Sequence, residues 1–122
     1  MAVKHMQKYR EKLGTNRLIS APRKPVSKKL IRHVSGIIGQ VEEILEAHLA
    51  EVITIGSADP AVRTLFLVFR ESSQISAVMD SIGAKLANVS REEEPFEVWP
   101  ISQSDSLLAT IRSANSIIGW RD

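Results

Sequence analysis

Apolar positions along the chain fall into blocks, and the period changes from block to block. The densest block is Thr64-Leu65-Phe66-Leu67-Val68-Phe69, closed by Arg63 and Arg70. A short continuous apolar run beside a turn signal predicts a strand buried on both faces. Leu65, Leu67 and Phe69 then need cover on one side, and Phe66 and Val68 on the other. Before this block, Leu30, Ile31, Val34, Ile37 and Ile38 recur at helical spacing. They predict an amphipathic helix of about three turns. Ser27 is its candidate N-cap, Gly36 weakens it and Gly39 ends it.

Residues 40–56 fit two periods. Val41, Ile44, Leu45, Leu49 and Val52 suit a helix, and propensity favours one to about Ala50. Leu45, Ala47, Leu49, Ile53 and Ile55 suit one face of a strand, and Val52-Ile53-Thr54-Ile55 is plainly strand-like. The turn composition of Gly56-Ser57-Ala58-Asp59-Pro60 then predicts an antiparallel hairpin with the central block. A second helix follows, capped by Ser72 or Ser73, with the stripe Ile75, Val78, Met79, Ile82, Leu86 and Val89. Gly83 on that side suggests close approach to the sheet, at a cost of about 1 kcal/mol in helix propensity. Arg91 to Pro95 is a charged connection, and Phe96-Glu97-Val98-Trp99 alternates as a third strand ended by Pro100. Ser104 or Ser106, with Asp105, caps a last helix carrying Leu107, Leu108, Ile111 and Ile117. The apolar end, Ile117 to Trp120, should dock on the body. At the other terminus, Met6, Tyr9 and Leu13 permit a short helix ended by Gly14. Pro22 and Pro25 make residues 15–25 extended, with Leu18 and Ile19 as their only large apolar residues.

The expected fold is α+β: a single, mostly antiparallel sheet of three or four strands with helices packed on one face, in the order α-β-β-α-β-α. Residues 1–26 are read as a basic, partly extended N-terminal arm and 27–122 as one domain. Apolar residues on both faces of the central strand leave an outer face to be covered, which a second subunit would do.

Three local features resemble the C-terminal domain of the enhanced-serine-sensitivity (SseB) family. The first is Val41 to Val52, with its Val…Ala47-His48-Leu49 stretch, leading into a hairpin. The second is the strand Thr64 to Phe69 followed by a helix. The third is Phe96-Glu97-Val98-Trp99-Pro100-Ile101, then Asp105-Ser106-Leu107 and the closing Ile117-Ile118-Gly119-Trp120. The resemblance covers roughly residues 27–120. It implies a small α+β domain with no catalytic residues to carry over, and it is the ground for reading a strand from about Ile44.

Composition changes this picture little. A hydrophobic fraction of 43% and a charged fraction of 25% are ordinary for a globular protein. The absence of cysteine excludes a disulfide framework, a thiol nucleophile and thiolate metal ligands, and it fits a reducing cytoplasm, the expected location. No run of apolar residues approaches a membrane span, so no membrane association is expected.

Charge changes it more. The net charge is +2, yet residues 1–33 hold ten Lys or Arg against Glu11, and the remainder holds six against thirteen acids. Arg23, Lys24, Lys28, Lys29 and Arg32 gather around one helix start, where backbone N–H groups point outward. They are the candidate anion- or partner-binding residues. Lys28 and Lys29 sit unfavourably at the positive end of the helix dipole, and a bound anion would relieve this. Nucleic acid is conceivable there, but only Tyr9 is available to stack on a base.

No catalytic constellation is found: there is no nucleophile elbow, phosphate loop or metal-ligand spacing among His5, His33 and His48. Glu46 and His48 share a strand face, as an acid/base pair would, but are read as a solvated polar face. His33 is read as a partly buried, hydrogen-bonded residue bordering the helix stripe. Trp99 and Trp120 are read as core residues, with Trp120 also a candidate dimer anchor. No enzyme activity, cofactor, metal or catalytic residue is therefore assigned. The expected function is a non-enzymatic interaction or regulatory domain with a protein partner, foremost a second copy of itself. Nucleic-acid or anion binding through the basic segment is the alternative.

Overall fold

A computed structural model describes residues 17–56, 60–71, 74–114 and 117–120. The helix suggested around Met6, Tyr9 and Leu13, the caps Ser72 and Ser73, and the side chain of Trp120 lie outside the described residues. The elements run β1 (Arg17–Ser20), α1 (Lys28–Ile38), β2 (Ile44–Thr54), β3 (Val62–Phe69), α2 (Ile75–Glu92), β4 (Glu97–Ser102), α3 (Leu108–Ser113) and β5 (Ile117–Trp120). The class is α+β.

β2 is the long strand, with eleven residues. It pairs with β3 as an antiparallel hairpin, in which Ala47 opposes Leu67, Leu49 opposes Leu65 and Val52 opposes Val62. Strand won over helix in residues 44–54 because the partner strand is next in sequence and both faces of the pair are wanted by apolar cover. At the turn, Gly56 takes φ 81°, a left-handed conformation open to glycine at little cost. β3 and β4 run parallel, and α2 supplies the crossover that a parallel pair requires. The remaining edge of β2 is divided. β1 pairs antiparallel with Glu51–Thr54, and β5 antiparallel with Glu46–His48. The segment read as an arm thus contributes a strand, and the apolar C-terminal end docks by backbone pairing. Ile117 belongs to β5 and not to the last helix, a correction to the stripe above.

Two apolar clusters lie on opposite faces of the sheet. On the first, α1 supplies Leu30, Val34 and Ile38, and α2 supplies Ile82, Leu86 and Val89, against Leu49, Leu65, Leu67 and Phe69. On the second, Leu107, Leu108 and Ile111 from the short α3 region pack on Val52, Phe66, Val68, Trp99 and Ile101, with Ile19 at the margin. Phe66 and Val68 are fully buried. The cover that the second face needs therefore comes from this chain's own C-terminal helix, with no subunit required. The Phe66 and Trp99 rings meet at 5.4 Å between centroids.

Local details hold these layers in place. The N-cap of α2 is Gln74, without a side-chain bond. Asp105 begins the α3 turn, its Oδ1 accepting the Leu107 N–H at 2.9 Å. Ser90 closes the α2–β4 connection by accepting the Phe96 N–H and donating to the Phe96 carbonyl. Gly83 does not mark a close approach: a Cβ built there meets nothing within 4 Å.

Candidate functional site

The basic cluster forms where α1 begins. Ser27 caps the helix, its Oγ accepting the Leu30 N–H at 3.0 Å and its carbonyl the Ile31 N–H at 3.1 Å. No acid occupies the first turn. The structure splits the five cations into two sets. Lys29 lies 3.7 Å from Glu93, and His33 Nδ1 lies 3.0 Å from the same carboxylate oxygen. Glu93 caps the C-terminal end of α2 and is largely buried, so the Lys29–His33 row is met from within the chain. His33 itself is 43% exposed, more open than the sequence suggested. Arg23 reaches Glu51 at 3.9 Å while remaining mostly in solvent. Lys24, Lys28 and Arg32 are exposed and, among the described residues, have no acidic partner. Lys28 and Arg32 stand four apart, on one side of the helix.

A second constellation sits on the opposite face of the sheet. β2 alternation puts Glu46 and His48 together there, but the face is not solvated. His48 is 1% exposed, and in the strand register it lies between Phe66 on β3 and Ile117 on β5. This corrects the reading of a polar, water-facing pair. His48 Nε2 lies 2.9 Å from Glu46 Oε1. Arg112, on α3, donates its Nε to the same oxygen at 3.1 Å and an NH2 hydrogen to Oε2. The Arg112 hydrogen bonds hold the Glu46 carboxyl below its ordinary pKa; burial opposes this, and the His48 bond adds to it. The same bonds hold Arg112 more firmly protonated. The carboxylate therefore fastens α3 to the sheet and orients His48. Sequence reasoning missed Arg112 because its partner is 66 positions away, beyond any local spacing rule. Glu43 takes no part: it lies before the β2 bulge, where its carbonyl accepts the Arg70 N–H.

Among the described residues, no group of three or more His, Asp or Glu is placed to hold a metal ion, and no helix is long and apolar enough to cross a membrane. No family model, curated protein or solved structure matches this chain.

Proposed function

We propose that this chain is a non-enzymatic interaction domain that self-associates through the turn end of the β2–β3 hairpin, and that it is an SseB-like domain. One observation carries the first part: Leu18 and Ile55 are 54% and 58% exposed at that end, with Val62, 39% exposed, on the opposite face of the sheet from Leu18. Leu18 opposes Ile53, Val62 opposes Val52, and Ile55 follows where β2 stops. Beside them stand two ion pairs, Arg23 with Glu51 and Arg63 with Glu94. A two-fold interface needs a patch complementary to itself, and an apolar centre flanked by charges of both signs meets that need.

Strand addition at the β4 edge is the weaker route. The Gln103 N–H donates to the Phe69 carbonyl, so the alternation turns Trp99 and Ile101 inward and Pro100 outward. Proline removes the middle donor of the outer edge, a device that blunts pairing.

Light scattering after gel filtration tests the proposal. Wild-type protein is expected to dimerise in the micromolar range. Leu18→Ser with Ile55→Ser, both at exposed positions, is expected to give a folded monomer. A wild-type monomer throughout, or a variant that still dimerises, would overturn it.

One observation favours a second reading. Lys24, Lys28 and Arg32 face solvent without acidic partners among the described residues, as a polyanion-binding surface requires. Titration with single-stranded RNA at two salt concentrations tests it: Lys28→Glu with Arg32→Glu should abolish low-salt binding, and no wild-type binding at low salt would remove the reading.

A further inference from the structure

The Glu46–His48–Arg112 cluster also lines a shallow surface hollow, together with Ile117. We propose that this hollow binds a small organic oxyanion carrying a hydroxyl group, with the oxyanion on Arg112 and the hydroxyl on His48 Nδ1. Four features support this. His48 is buried, and among the described residues its Nδ1 has no hydrogen-bond partner. An ionised carboxylate only accepts, so the Nε2 facing Glu46 carries a ring proton, and in the singly protonated ring Nδ1 is an acceptor in want of a donor. A buried acceptor left unmet is costly, and a donating ligand recovers that cost.

Arg112 supplies the second feature. A guanidinium has five N–H donors, and among the described residues the two contacts to Glu46 leave the others unspent on a side chain that is 56% exposed. Its planar fork suits a carboxylate or phosphate group. Ile117 is the third: 45% exposed on β5, it offers an apolar wall to a short carbon skeleton. Rigidity is the fourth. Glu46 pins both polar groups, one on a central strand and one on a packed helix, so the site is held in shape before a ligand arrives. The hairpin end invoked for self-association lies at the other end of β2, so the two proposals stand or fall separately.

The test uses the full chain with ¹⁵N-labelled histidine, following the imidazole nitrogens of His48 by NMR. The probes are glycerate, acetate as anion alone and glycerol as hydroxyl alone. Glycerate should displace the His48 Nδ1 resonance saturably, and the two partial probes should bind at least about tenfold more weakly. Arg112→Ala should erase the advantage of glycerate over glycerol, and Arg112→Lys, which keeps the charge without the fork, should retain part of it. A resonance unmoved by glycerate, equal responses to glycerate and glycerol, or an Arg112→Ala variant that binds glycerate as the wild type does would each overturn the proposal and leave the cluster a structural clasp.

Discussion

Glu46 carries two ties on one carboxylate, to a buried histidine on its own strand and to an arginine on α3. Its lowered pKa makes this a pH-dependent contribution with a definite sign. The folded chain binds the Glu46 proton less tightly than the unfolded chain does, so the stabilisation is complete above the unfolded carboxylate value. It is lost as the pH falls through the lower, folded value. Glu46→Gln keeps the size of the side chain and removes the charge. It should cost about 1 kcal/mol at neutral pH, since the Arg112 end is exposed and screened. In acid the cost should shrink, as the wild type then loses the same charge. Urea midpoints of both proteins from neutral pH into the acid range check this, and parallel curves would show that Glu46 does not titrate in the linkage described.

At the scale of elements, what could be read from the sequence depended on whether the deciding partner was local. α1 announced itself through Ser27, its stripe and Gly39, because cap, period and stop all lie within the segment. The choice of strand for 44–54 was not decided by local propensity. It was settled by pairing with β3, where every residue from Glu46 to Val52 has a partner. β5 was legible as a segment that should dock on the body and β1 only as extended chain, packed or loose, but neither as a strand: each is four residues long and has meaning only against the edge of β2. The role of α3 was hidden for the same reason. A six-residue helix shows little period, and which sheet face it covers depends on a crossover that sequence does not encode locally. Likewise, the polar pair Glu46 and His48 was visible, but not the arginine that makes it a buried cluster. Gly83 is the instructive error. An intrahelical glycine near an apolar stripe suggested tight packing, yet the space beside it is open. With no steric reason for glycine, Gly83→Ala should stabilise the chain by about 1 kcal/mol through helix propensity alone. A thermal melt of the variant checks the sign, and a lowered midpoint would mean that something packs there after all.

For the whole molecule, the decisive feature is that one pair of strands serves two cores. Leu65, Leu67 and Phe69 face α1 and α2, while Phe66 and Val68 face the α3 region, and all five are fully buried. Neither layer has a sheet of its own, so damage to one should loosen the shared wall and be felt on the other side. Leu86 on α2 and Ile111 on α3 are both fully buried, one in each cluster. Leu86→Ala and Ile111→Ala should each cost about 2–5 kcal/mol, a large part of the stability of a domain this size. If the two clusters fold as one unit, each variant lowers the protection of the β3 amides 64–69 by the full amount it takes from global stability, because those amides exchange only when the wall itself opens. Native-state hydrogen exchange makes the measurement residue by residue. Should Ile111→Ala release α3 and the amides around it while 64–69 keep wild-type protection, the second layer would be an appendage that opens alone. The Glu46–Arg112 tie would then be the hinge of that opening, and the core would reduce to the sheet with α1 and α2.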